Sequence, residues 1–261
     1  MNIRNKWTLI FAVVFGILVS SISYFGIMAE GFSGMQNFTR TSASILNLVL
    51  YIVPLVALVM GTLSFSGDKG SMELLFSQPV SRAEVLTGKL FGLFASLALS
   101  TLSGFSIAGI IVMISSGAEG LARYAAFVFL SLLLSLVFLS ISLLASTINK
   151  RKSKAFGAAL FIWFFFVLFY DLLALGGTLL LKGETSNMFL FISLFGNPVD
   201  LVRVSSLILL DNVTIFGAAG AALLRFLGGS MTSILLLCIV LLMWVIVPFI
   251  LSQRLLRKQD I

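Results

Sequence analysis

Apolar residues fall into six long blocks, at 7–29, 45–65, 90–114, 124–148, 155–181 and 231–251. About 20 such residues, wound as helix, cover the roughly 30 Å of hydrocarbon in a bilayer. Five blocks carry no charge, and the fifth holds a single one, Asp171. No alternation of apolar and polar residues suggests barrel strands, so the blocks read as helices with all backbone bonds made internally. Composition excludes the soluble alternative: 59% of residues are hydrophobic and 10% charged, against about 45–50% and about 25% in soluble domains. Arg4 and Lys6 precede the first block as in a signal peptide, but the apolar run is too long, and Ile27-Met28-Ala29 lacks the small residue expected three before a cleavage point. The chain therefore reads as one all-α integral membrane domain, 1–261, with six transmembrane helices.

Missing residue types exclude whole classes of chemistry. With no His, Ser-His-Asp and Cys-His catalysis and imidazole metal sites are ruled out. Cys238 is the one cysteine, set in an apolar run, and reads as a small buried hydrophobe. The nine Met residues are scattered and form no copper relay. No G-x-x-x-x-G-K-[ST] phosphate loop exists, since Gly88-Lys89 is followed by Leu90. The chain is thus not expected to be an enzyme or to hold a cofactor or metal; the energy source, if there is one, should be another subunit. Sparse intramembrane polarity and the lack of an evident repeat argue against an ion-coupled carrier.

Orientation follows from cations. The amino end, 66–89, 149–154 and 252–261 hold 12 of the 17 Lys and Arg; the opposite segments 30–44, 115–123 and 182–230, longer in total, hold five. The positive-inside rule then puts both termini in the cytoplasm, in the plasma (inner) membrane. The turn at 149–154 carries Lys150, Arg151, Lys152 and Lys154. That patch is far too small for nucleic acid and suits a topogenic role.

The cytoplasmic loop 66–89 is the most informative stretch. Gly67 and Gly70 break the second span; Ser71, Met72, Glu73, Leu74, Leu75, Phe76 and Ser77 form one or two helical turns with an apolar cluster; Pro79 stops them. Ser81-Arg-Ala-Glu84 is a capping box opening a helix that runs into the third span. A short transverse helix joined to a capped one can carry force between the membrane and a docked partner, or simply lie on lipid.

The outer segment 182–230 is too long for a plain connection. Asn197 as N-cap, Pro198 at the first position and Asp200 in the first turn start a helix in which Asp200 and Arg203 pair at i,i+3. A second piece at 215–227 closes on Gly228-Gly229 and is too short to span, hence interfacial or re-entrant. Together they would cap the outer mouth of the bundle or meet an extracytoplasmic partner. Asp171, about 24 Å along its helix from Ala155, lies in the outer leaflet. It is either functional by the usual cost of an intramembrane carboxylate, or structural and satisfied by Arg203, Arg225 or backbone. Pro54 and Pro248 permit kinks in spans two and six. Gly88-Lys-Leu-Phe-Gly92 has the spacing of a close helix contact.

The run from Ser66 to Lys89, with Ser-Met-Glu-Leu-Leu-Phe-Ser-Gln-Pro-Val-Ser-Arg-Ala-Glu at its centre, resembles the first cytoplasmic loop of ABC-2 type permeases. With Phe169-Tyr-Asp171 and Asn197-Pro-Val-Asp-Leu-Val-Arg203, it is similar to the Nos-type branch, associated with maturation of multi-copper enzymes such as nitrous oxide reductase. The resemblance runs over most of the chain from Trp7. It implies an exporter-like bundle with outer interfacial helices between helices five and six. It also implies a homodimer, cytoplasmic ATPase subunits engaging a coupling helix at 71–77, and an extracytoplasmic partner. Two departures stand out: only 1–6 precede the first span where the family has a longer elbow helix, and 67–70 is shorter than the usual Glu/Arg-rich stretch, so individual charge contacts to the ATPase do not carry over. The resulting expectation is the permease subunit of an ATP-driven exporter. Its rivals are a non-transporting membrane scaffold and an ATP-independent channel or carrier.

Overall fold

The computed structural model describes residues 10–21, 34–66, 81–149, 151–181, 183–209 and 230–257. These form α1 (Ile10–Ser21), α2 (Gly34–Phe65), α3 (Arg82–Ile148), α4 (Lys152–Phe164), a π-helical turn (Phe165–Phe169), α5 (Tyr170–Leu180), α6 (Glu184–Phe195), α7 (Pro198–Leu209) and α8 (Ser230–Arg257). Five helical stretches are long and apolar enough to cross a membrane, Ser44–Phe65, Ala83–Ser106, Leu121–Ile148, Lys152–Leu180 and Thr232–Arg257; the bent pair Met188–Phe195 with Pro198–Leu209 would make a sixth. The first expected span is represented by α1. The 71–77 and 215–227 elements and Arg225 lie outside the described residues.

Hydroxyls inside such helices are kept from lipid by bonding back to their own turn. Thr62 donates to the Leu58 carbonyl at 2.8 Å, Thr101 to Leu97 at 2.8 Å and Ser131 to Phe127 at 2.9 Å. Ser140 instead reaches across to the Val245 carbonyl on α8 at 2.6 Å. Pro248, three residues on, removes the amide that would pair with the carbonyl of Trp244, the neighbour of this acceptor. Both Pro54 and Pro248 lie within unbroken helices.

α3 is helical in backbone over 67 residues, but it is not straight. Nineteen residues of straight helix would part Phe105 and Tyr124 by about 28 Å, whereas the Tyr124 hydroxyl donates to the Phe105 carbonyl at 2.8 Å. The chain therefore reverses between Gly109, which lies against the Tyr124 ring, and Leu121. The connection read at 115–123 is helical rather than a loop; it holds no proline to end the helix. Phe15 and Phe105 meet edge-on at 5.3 Å and Phe105 meets Phe127 at 5.7 Å, fastening α1 to this hairpin. The first limb opens as the capping box predicts: the Glu84 amide donates to Ser81 Oγ at 3.2 Å, and the Ser81 amide to Glu84 Oε2 at 2.9 Å.

The second limb, Leu121–Ile148, is the axis of the bundle, with 78% of its most apolar stretch buried against 11% for Lys152–Leu180. α2 lies so close to it that a Cβ on Gly61 would overlap the Ser142 side chain, the contact small residues permit between membrane helices. The Gly88 and Gly92 pair faces open space, so its close-contact spacing meets nothing among the described residues. Cys238 is half-buried rather than buried.

The outer segment reads as capping the mouth of the bundle or meeting an extracytoplasmic partner; within it, every residue of α7 except Asp200, Arg203 and Leu209 is buried. Its apolar residues run round the whole helix, Val199, Leu201, Val202, Val204, Leu207 and Ile208 among them, and a helix apolar on all sides goes inside.

Candidate functional site

The polar residues singled out around helix five and the outer segment converge on one place, about 28 Å along from Lys152 at 1.5 Å per residue. α6 stops at Phe195, and the chain turns by 108° into α7. Gly196 and Asn197 make the corner. The Tyr170 hydroxyl occupies the space a Cβ on Gly196 would need and donates to the Ser193 carbonyl at 2.7 Å. Asn197 then starts α7 as its residue type predicts: its Oδ1 accepts from the Val199 amide at 3.0 Å and its carbonyl accepts from the Leu201 amide at 3.1 Å.

The other half of the Asn197 side chain does something no N-cap requires. Its Nδ2 donates to the Phe166 carbonyl at 3.0 Å and to Asp200 Oδ2 at 2.9 Å. Phe166 lies in the π-helical turn, where the Tyr170 amide reaches back to the Phe165 carbonyl, five residues away. A π turn inserts one residue and rotates the rest of the helix by about 100° relative to an unbroken α-helix. The residues rotated here are Tyr170 and Asp171.

Arg203 completes the arrangement. One nitrogen, Nη1, donates to Asp200 Oδ1 at 2.6 Å and to Asp171 Oδ2 at 2.9 Å. Asp200 and Arg203 are the i,i+3 pair read from the sequence, and the partner of Asp171 is Arg203. The three side chains are 16%, 24% and 40% exposed for Asp200, Arg203 and Asp171. Two carboxyl groups share one guanidinium, with Asp171 on the open side of the cluster. On the far flank the Trp244 Nε1–H of α8 donates to the Phe195 carbonyl at 3.1 Å, and Trp244 meets Phe166 edge-on at 5.5 Å.

Asp171, Asn197, Pro198, Asp200 and Arg203 are thus brought together. Ser81 and Glu84 cap the distant start of α3, and Ser71, Met72, Glu73, Leu74, Leu75, Phe76 and Ser77 lie outside the described residues. Sequence reasoning missed Tyr170, Trp244 and the Phe166 carbonyl as members of the cluster. The first two are aromatic residues in apolar runs, and a backbone carbonyl leaves no mark in a sequence.

Comparison with known proteins bears on the whole chain. Residues 1–261 match the family model of ABC-2 family transporter proteins. The chain is 33% identical over 267 residues to a probable ABC transporter permease protein, NosY, of Pseudomonas aeruginosa, covering 100% of this chain and 95% of that one. It is 33% identical over 268 residues to the probable NosY permease of Stutzerimonas stutzeri, covering 99% and 94%. The all-helical fold, the several apolar helices of spanning length and the match from end to end agree: this multi-pass membrane protein belongs to the ABC-2 transporter family and is a membrane permease subunit of an ABC transporter.

Proposed function

We infer that this permease is an exporter subunit working as a homodimer in the plasma (inner) membrane with both termini cytoplasmic. Permeases of this family work in general with a cytoplasmic ATPase, and a permease subunit is generally not itself an enzyme. In the proposed arrangement the ATPase is a separate chain that holds ATP and Mg and engages 71–77. The end-to-end relationship to two NosY permeases carries the proposal that the transporter serves maturation of a multi-copper enzyme, through an extracytoplasmic partner meeting the outer segment. The capped start of α3 supports the coupling step. Its first turn is tied by two bonds between Ser81 and Glu84, and the helix continues directly into a spanning limb, so a push on the preceding loop reaches the membrane without slack.

The test is purification of the tagged chain from its native cells in mild detergent, followed by assay of vanadate-sensitive ATP hydrolysis. The expected result is a copurifying ATPase that is lost on Phe76→Asp while membrane insertion persists. Unchanged copurification with Phe76→Asp would remove 71–77 from the interface. Absence of any ATPase under several gentle conditions would favour a scaffold, and flux in liposomes containing this chain alone would favour an autonomous channel.

A further inference from the structure

The corner between α6 and α7 is bonded to its surroundings more heavily than a helix break needs. Capping α7 takes only the Asn197 Oδ1 and carbonyl. Yet the Asn197 amide, the Arg203 guanidinium and the Tyr170 hydroxyl all cross between this corner and helix five. They meet helix five within six residues, Phe166 to Asp171, on either side of the place where the π turn alters its phase. Above that place α5 buries no residue at all. Its further hold is on α6, where the Phe189 ring sits against Gly177 so closely that a Cβ would overlap it. Below it, α4 buries only Ala155 and Ala159. Helix five is thus held at more than one level: α4 packs on α2, where the Trp163 Nε1–H donates to the Tyr51 carbonyl at 2.9 Å, while around the π turn its cross-helix hydrogen bonds run to the α6–α7 corner.

Geometry also shows why the π turn belongs to the grip. Asp171 comes after the inserted residue, so without it the carboxylate would be turned by about 100° away from Arg203. The same turn presents the Phe166 carbonyl to Asn197.

We propose that Asn197, Arg203, Asp171 and Tyr170 form a clasp joining the π-helical turn of helix five to the α6–α7 corner, so that 165–171 and 193–203 move as one body and displacement of helix five carries the outer helix pair with it. α7, buried on nearly every side among α2, α3 and α8, transmits that displacement into the bundle. In this arrangement Asn197 and Arg203 are positioning residues: they hold two elements together. The clasp is a property of this chain alone and does not depend on which ATPase or cargo it serves.

The experiment is amide hydrogen exchange on the purified full-length chain in lipid nanodiscs, read at 165–171 and 193–204. Asn197→Ser keeps an oxygen to cap α7 but removes the donor to Phe166 and Asp200. A residue serving only as N-cap would leave helix five untouched by this change. The clasp requires roughly tenfold faster exchange at 165–171, about thirty residues away in sequence, the effect of losing a bond to a charged or buried partner. The reciprocal variant, Asp171→Ala, alters helix five alone, removes the acceptor for Arg203 and should speed exchange at 198–204, while Arg203→Lys, which keeps a cation, should restore less protection than wild type but more than Arg203→Ala. Because Asp171 is the most exposed member, its variant is the one to rely on if Asn197→Ser fails to accumulate. Effects confined in each case to the element carrying the substitution would overturn the proposal.

Discussion

At the scale of single residues, exposure decides which member of the cluster matters most for stability. Arg203 serves two carboxylates, and Asp200 is only 16% exposed. Arg203→Ala would leave that carboxylate desolvated without its cation, a change worth about 3 kcal/mol. Asp171 is 40% exposed, and Asp171→Asn keeps an oxygen to accept from Arg203, so a cost of about 0.5 kcal/mol is expected. Thermal unfolding of the two variants in one detergent should rank them in that order, and equal losses would mean that Asp171 is less solvated than the monomer makes it. Gly196 offers a second test. Gly196→Ala must displace the Tyr170 hydroxyl and should cost about 1–3 kcal/mol. In a Tyr170→Phe background the added methyl meets less, so the double variant should lose less than the sum of the singles, read as a coupling in unfolding midpoints. The sequence made the local half of this site legible: Asn197, Pro198, Asp200 and Arg203 act within two helical turns, where spacing alone predicts contact. It left the partner of Asp171 open among three candidates, because a contact 32 residues away depends on how two helices pack.

Elements were legible where termination chemistry or hydrophobic length speaks for itself. Ser81 and Glu84 announce a helix start, and the structure closes both of their bonds. Ser81→Ala should cost about 1 kcal/mol locally, seen as faster amide exchange over 83–86 with little change in the unfolding midpoint, since Ser81 is exposed. A fall in midpoint as large as that of Arg203→Ala would show the cap to be held by contacts other than its own two bonds. Two elements escaped the sequence for different physical reasons. The turn joining the limbs of α3 escaped because 111–120 stay helical while the chain reverses, and no proline there marks a helix end. The π turn lies in Phe164-Phe165-Phe166-Val167-Leu168-Phe169, a run whose apolar character is the same at every phase of the helix. Nothing in such a run marks an inserted residue; what requires it is the position of Arg203 on another helix.

For the molecule as a whole, the cation bias and the fold make one joint prediction. The start of α4 and the start of α3 lie at the two chain ends of a hairpin whose limbs are Ala83–Ser106 and Leu121–Ile148, so both fall on the same side of the bundle. The clasp lies toward the other side, some 19 residues up helix five from Lys152. Twelve of 17 cations accompany the first side, and each costs free energy to move across the bilayer. The side bearing 66–89 should therefore be cytoplasmic, where an ATPase can reach it, and the α6 start should face outward. With Cys238 first replaced by Ala, single thiols at two exposed positions decide the matter: Ser153→Cys beside the basic turn and Thr185→Cys in the first turn of α6. A membrane-impermeant maleimide applied to intact cells should modify Thr185→Cys at once and Ser153→Cys only after the membrane is opened. The reverse pattern would put 71–77 outside, beyond reach of any cytoplasmic ATPase, and the proposed coupling would fall with the orientation. Labelling of both before opening would instead place the start of α4 in a pathway open to the exterior.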